Sequence, residues 1–242
     1  MLYIDDAYIL TIGHSITETH EKLHDTMERD GGVFQWAAEH NCGFGIDKFQ
    51  LLDLTHRREP HLGIPGKTCP ISRPDVQLRG HVVKSDDMAK FLGVIIDREL
   101  QWKAQGAAMV EKGKAWVAQV QRIAKVTRGV PSHLVRRLYL AVAVPKMMYA
   151  ADICLESSRR VGGAGSATIV AKLAAVQRKA AIAITGAMKT TATDILDAHA
   201  NLLPMQLLVE KMRARAAIRM ATLPKSHPLE QHIRRVATRR IK

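Results

Sequence analysis

After Asp97 the sequence changes character, and that break limits the folds open to the chain more than any other feature. Downstream of it alanine becomes frequent and apolar residues recur at spacings of three and four. Gly or Pro punctuates roughly every 20 residues, which is the pattern of consecutive helices. Upstream of it, short β-prone runs surround an amphipathic helical stretch. The two parts also differ in charge. Residues 1–61 hold 5 basic and 11 acidic side chains, residues 62–100 hold 6 and 5, and residues 101–242 hold 25 and 7. The net +13 of the chain therefore comes from its helical part. A field of that sign draws polyanions, so nucleic acid or an anionic surface is the partner class that the charge implies, with a solvated basic surface kept for solubility as the plain alternative.

With 242 residues, 47% of them apolar, the chain can bury a core. Cys42, Cys69 and Cys154 are odd in number and lack C-x-x-C spacing, so neither a disulfide framework nor a thiolate zinc site is expected. A reducing compartment, nuclear or cytoplasmic, fits them. The most apolar stretch, Leu138 to Leu155, is broken by Pro145, Lys146 and Asp152, and the N-terminus lacks the charged head and apolar run of a signal peptide. Membrane insertion and secretion are therefore not expected.

Leu2-Tyr3-Ile4 and Tyr8-Ile9-Leu10 read as two strands around Asp5-Asp6-Ala7, a hairpin with two carboxylates at its tip. Ser15 and Glu18 form a capping box ahead of a helix with Ile16, Leu23 and Met27 on one face. Gly31-Gly32 interrupts it and Val33 to Ala38 resumes it. Phe49 to Leu54 reads as a strand, residues 56–75 as an irregular excursion, and Val82-Val83 and Phe91 to Ile96 as strands around a Lys84 to Asp87 turn. In the helical part, Trp116, Val120 and Ile123 mark one buried face. Ser132 caps a helix with Leu134 and Leu138 inward, bent or stopped near Pro145. Further helices are expected near 166–185, 191–199 and 204–222, the middle one capped by Thr191 and the last with Pro204 in its first turn.

Adjacent carboxylates on a hairpin are hard oxygen donors suited to Mg²⁺ or Mn²⁺. In two-metal phosphoryl transfer such groups hold the ions that activate the attacking hydroxyl and stabilise the leaving group. An Asp-Asp pair in an ordinary turn is nonetheless commoner than a metal site. Arg136, Arg137, Arg213, Arg215 and Arg219 are candidates to track nucleic-acid phosphates. His20 and His24 stand at i, i+4, but with no third ligand near them they read as exposed helix surface. Trp102 and Trp116 read as core anchors.

The flanks of the carboxylate pair sharpen this reading. Tyr3-Ile4-Asp5-Asp6 resembles the Y-x-D-D catalytic hairpin of reverse transcriptases. Trp36-Ala37-Ala38-Glu39-His40-Asn41, then Ile46-Asp47-Lys48 and Phe49 to Leu54, is similar to the helix, turn, lysine and strand of the polymerase palm. Phe91-Leu92-Gly93-Val94-Ile95-Ile96-Asp97 resembles the primer-grip segment of the non-LTR retrotransposon branch. Val176-Gln177-Arg178-Lys179, Ile184-Thr185-Gly186-Ala187, Thr190-Thr191 and Leu203-Pro204 are similar to the helical region that follows the polymerase in those elements.

The resemblance implies an α+β chain with a partial palm over residues 1–98, a helical thumb over 99–160 and a helical connection region with a basic tail over 161–242. It implies Asp5 as the main metal ligand with Asp6 beside it, Lys48 as proton donor or electrostatic partner at the departing pyrophosphate, and Phe91, Leu92 and Gly93 as positioners of the primer end. RNA template and DNA primer are the implied partners and Mg²⁺ (or Mn²⁺) the implied cofactor, weakly held. Two departures stand out. Phe49 follows Lys48 where the family often has Thr, and the family's third carboxylate and its fingers are expected before Met1. A noncatalytic, nucleic-acid-binding retroelement remnant is the alternative reading.

Overall fold

The computed structural model describes residues 2–3, 6–124, 129–155 and 164–239. The chain is α+β, with 54% of it helical and 11% in short antiparallel strand pairs. It divides into two compact units, residues 1–101 and 102–242. Each unit has its own hydrophobic core.

In the first unit the strands form four separate hairpins and no larger sheet among the described residues. β1 (Leu2–Tyr3) pairs with β2 (Asp6–Ala7), with Tyr3 opposite Asp6. α1 (Ile16–Glu28) and α2 (Val33–Glu39) follow. β3 (Arg58–Pro60) pairs with β4 (Thr68–Pro70), β5 (Val76–Leu78) with β6 (His81–Val83), and β7 (Met88–Phe91) with β8 (Val94–Asp97).

The last two hairpins correct the reading of Phe91 to Ile96 as one continuous strand. Leu92 (φ 46°) and Gly93 (φ 82°) form the two-residue turn between β7 and β8, and Arg79 (φ 48°) and Gly80 (φ 77°) do the same between β5 and β6. Positive φ at both central residues matches the right-handed strand twist, and glycine at the second position removes the steric cost there. Phe49 to Leu54 is likewise no strand. A single bridge, Leu51 to Ser85, and the Asp86 N–H on the Leu51 carbonyl (2.8 Å) tie it down. The excursion expected at 56–75 carries the β3–β4 pair, with β3 fully exposed.

α1 starts as the capping box requires at one end only. Ser15 Oγ accepts from the Glu18 N–H at 3.1 Å, but Glu18 Oε2 accepts from the His14 N–H at 2.7 Å and not from that of Ser15. The Lys22 ammonium, 2.6 Å from Glu18, and that His14 bond hold the Glu18 carboxyl below the usual range. α1 and α2 pack Met27 and Phe34 with Val76, Leu78 and Val83. Phe34 stacks on Phe49 at 6.3 Å and meets Phe44 edge-on at 6.4 Å.

The second unit is a helical bundle: α3 (Lys103–Ile123), α4 (Ser132–Leu138), α5 (Val144–Met147), α6 (Ala151–Cys154), α7 (Ala164–Thr185), α8 (Thr193–His199), α9 (Met205–Ala221) and α10 (Glu230–Arg239). None of the helices among the described residues is long and apolar enough to cross a membrane. One core draws on residues from Met109 to Val209, on both sides of residue 160. Between α4 and α5, residues Tyr139–Ala143 widen into a π-helical turn. Pro145, at the start of α5, explains it, because its ring displaces the carbonyl four residues back and it has no N–H to donate.

Val120 is buried and Leu138 packs on the core as expected, while the other members of each stripe are displaced by about one residue, roughly a quarter turn. On α3 the buried residues are Gln105, Gly106, Met109, Val110, Gly113, Val117 and Val120, while Trp116 is half-buried and Ile123 exposed. On α4 it is Val135, leading to Tyr139, that faces the core, and Leu134 is exposed. Pro131 occupies the N-cap position expected for Ser132, and Ala192 the one expected for Thr191.

Gly106 and Gly113, seven residues apart, let α7 approach α3 closely. A Cβ at Gly113 would lie 2.6 Å from Met147 Sδ and 3.1 Å from Val176 Cγ1, and both side chains are buried. Overpacking of this kind costs about 1–3 kcal/mol, against the roughly 1 kcal/mol that alanine's helix propensity returns. Gly113→Ala should therefore lower the urea midpoint, and Gly106→Ala should lower it less, because the obstructing Ile169 is only half-buried. A midpoint at or above that of the parent chain would contradict this packing.

Candidate functional site

Asp5 lies outside the described residues. Asp6 stands within β2, opposite Tyr3, so it belongs to the second strand and not to the turn, and Tyr8 to Leu10 lie beyond the paired segment. The register explains the correction. Pairing Leu2 with Ala7 and Tyr3 with Asp6 leaves room for two residues only between the strands.

The structure brings one pair of the expected elements together. The Tyr8 ring meets the Phe91 ring edge-on at a centroid distance of 4.4 Å. Phe91 ends β7, and Leu92 and Gly93 make the turn that follows it. The contact joins the end of β7 to the residue that follows Asp6 and Ala7. Lys48 is exposed at the end of a single 3₁₀ turn, Ile46–Lys48, with no side-chain partner among the described residues. No described contact joins it to Tyr8 or Phe91.

His20 departs most from expectation. It is buried, and its Nε2 bonds Asp53 Oδ1 at 2.8 Å, while Ser85 Oγ donates to Asp53 Oδ2 at 2.8 Å. The signal was present in the sequence. Residues 16, 20, 23 and 27 share one helical face, and His20 occupies the second position of that apolar stripe. His24, one turn on, is exposed as expected. Among the described residues no group of three or more His, Cys, Asp or Glu is placed to hold a metal ion, and Asp5 and the Asp6 side chain fall outside that set.

The five arginines separate by what they touch. Arg136 is a structural clamp. Its Nε donates to the Ala200 carbonyl at 2.8 Å and its Nη2 to the Asn201 carbonyl at 2.7 Å, satisfying the end of α8. Those bonds use Nε and Nη2. Arg219 pairs with Asp152 at 3.2 Å and remains exposed. Arg137 and Arg215 are exposed and Arg213 is half-buried, all three without side-chain partners among the described residues.

Two residues of the resemblance segment near 176–179 prove to be architectural. Arg178 donates to Thr193 Oγ1 and to the carbonyls of Lys189 and Thr191, fastening the loop before α8. Gln177 is buried and donates to Asp197 Oδ1 at 3.1 Å and to the Leu203 carbonyl at 3.0 Å. Trp116 packs on the core and carries Lys146 over its ring at 4.5 Å. Trp102 also packs there, in line with both tryptophans as anchors. Cys154 is buried beside Met109, and that burial pushes its thiol up to about 11, so it is inert at neutral pH.

No family model matches the chain, and neither the curated proteins nor the solved structures contain a match to it.

Proposed function

We propose that the chain is the partial palm, thumb and connection portion of an RNA-directed DNA polymerase of the non-LTR retrotransposon kind, whose intact protein acts on an RNA template and a DNA primer. The observation that carries this reading is the Tyr8–Phe91 contact. The Y-x-D-D segment and the segment resembling a primer grip are more than 80 residues apart in sequence, and a polymerase needs the primer end beside the carboxylates. Tyr8, two residues past Asp6, meets Phe91, and a juxtaposition of that kind is what the function asks for.

In this reading Asp5 and Asp6 would hold Mg²⁺, and their chemistry suits it, because carboxylates are hard oxygen donors. Two carboxylates leave most of the coordination to water, so the ion is weakly bound. When bound, it supplies activation of the primer hydroxyl and charge stabilisation at the leaving pyrophosphate. The chain's own part is to place the primer end through Phe91, Leu92 and Gly93 and to offer the Lys48 ammonium to the departing phosphates. The basic second unit would hold the duplex backbone.

A noncatalytic nucleic-acid-binding role is the second reading, favoured by the unpartnered guanidiniums of Arg137 and Arg215 in the unit that carries the positive excess. Photo-crosslinking separates the two. With benzoylphenylalanine in place of Phe91, irradiation of the full chain on an RNA–DNA primer duplex should attach it to the last nucleotides at the primer 3′ end. Crosslinks spread along the duplex, or absent while the duplex is bound, would leave only the noncatalytic reading.

A further inference from the structure

Arg73 is a charged side chain that the chain itself does not satisfy. Its Nε is sealed from solvent and has no hydrogen-bond partner, and no other bond or ion pair engages the residue among the described residues. A buried, unanswered donor on a cation is costly, so native structures supply an acceptor to such groups. Three nearby carboxylates are already engaged. Asp53 is held by His20 and Ser85, Glu59 accepts from the Ser72 N–H at 3.1 Å, and Asp87 pairs with Arg98 at 2.5 Å.

Arg73 lines a pocket of about 370 Å³ together with Pro70, Ile71, Ser72, Ser85 and Arg98. Two guanidiniums and the Ser72 hydroxyl supply donors on this wall. Ser85 contributes only lone pairs, because its proton goes to Asp53. The one carboxylate opposing the second guanidinium, Asp87, is 72% exposed and so is screened by water. A site with two guanidinium forks, whose neighbouring buried carboxylate, Asp53, is already held by His20 and Ser85, suits an oxyanion with oxygens on several sides, and a planar carboxylate would occupy one fork only.

We propose that the pocket between residues 70–73, Ser85 and Arg98 binds a phosphate-class oxyanion, with Arg73 as its principal ligand and Arg98 as the second. The site lies within the first unit and does not depend on the polymerase reading. The phosphate could belong to a nucleic-acid backbone or to a small phosphorylated molecule.

The Arg73 Nε–H gives a direct readout, since a sealed N–H exchanges slowly enough to follow by ¹H–¹⁵N NMR of the full chain. Inorganic phosphate should shift this resonance saturably, and acetate at the same ionic strength, able to fill one fork only, should do so at about tenfold or more higher concentration. Arg73→Gln, followed through the Ser72 amide, should weaken phosphate binding about tenfold or more. Asp87→Asn releases Arg98 from its competitor and should tighten binding several-fold, a gain that misfolding cannot produce. A thymidine decamer that displaces phosphate assigns the ligand to a nucleic-acid backbone; one that does not assigns it to a small phosphorylated molecule. An Arg73 Nε–H unmoved by phosphate, equal affinity in Arg73→Gln, or unchanged affinity in Asp87→Asn would overturn the proposal.

Discussion

Replacing Gln177 with leucine should cost the helical unit about 3 kcal/mol, a large share of the roughly 5–15 kcal/mol that holds a domain folded. Gln177 Nε2 is the only side-chain donor to the Asp197 carboxylate among the described residues, and Asp197 is 6% exposed. The same amide nitrogen answers the Leu203 carbonyl, so one substitution strands a buried charge and a backbone acceptor together. The Tyr139 hydroxyl, 3.5 Å from Gln177 Oε1 and fully buried, is too distant to compensate. Burial, with the Asp197 charge adding to it, raises the Tyr139 hydroxyl far above its ordinary value and keeps it neutral.

The cost belongs to the stranded carboxylate, which makes the prediction separable from simple loss of packing. Gln177→Leu with Asp197→Leu removes donor and acceptor together and should recover much of the loss, as paired removal of buried polar groups often does. Urea unfolding of the two single variants and the double variant measures the coupling. Additive losses would mean that water already reaches Asp197.

The elements were legible where a local rule governs them. The helix at 16–28 follows from Ser15 and the 16–23–27 spacing, and the change of composition after Asp97 falls close to the boundary between the two units at residues 101–102. The β-turns carried a readable signal too, since Arg79-Gly80 and Leu92-Gly93 each separate two β-prone runs. Gly93 marks the turn that divides Phe91 to Ile96 between two strands. Phe49 to Leu54 has strand composition but lacks a partner beyond the single Leu51–Ser85 bridge, and composition does not specify partners. The roles of Arg136 and Arg178 were not legible for a related reason. Arg136 answers carbonyls 64 and 65 residues away, and nothing local distinguishes it from Arg137, its exposed neighbour.

That difference between neighbours shapes what the basic unit should do with nucleic acid. Duplex binding by the full chain, with roughly five phosphates contacted, should fall with salt at a log–log slope of about −4.5, and single-strand binding at about −3.5. A fourfold rise in salt would then weaken duplex binding about 500-fold. Arg137, Arg213 and Arg215 have guanidiniums without side-chain partners among the described residues, and each that touches a phosphate contributes about 0.9 to the slope. Replacing all three with glutamine should flatten the slope by up to about 2.7 while leaving the unfolding midpoint close to the parent's. Arg136→Gln should do the reverse, keeping the slope and lowering the midpoint, because its guanidinium holds the end of α8. Arg219→Gln should lie between, since Asp152 already neutralises part of its charge. Fluorescence-anisotropy titrations on a duplex and a single strand of scrambled sequence, at several salt concentrations, measure all of these slopes. Affinity that ignores salt would reduce the positive charge to a solubility feature, and a triple variant with the parent's slope would move the phosphate contacts to the lysines.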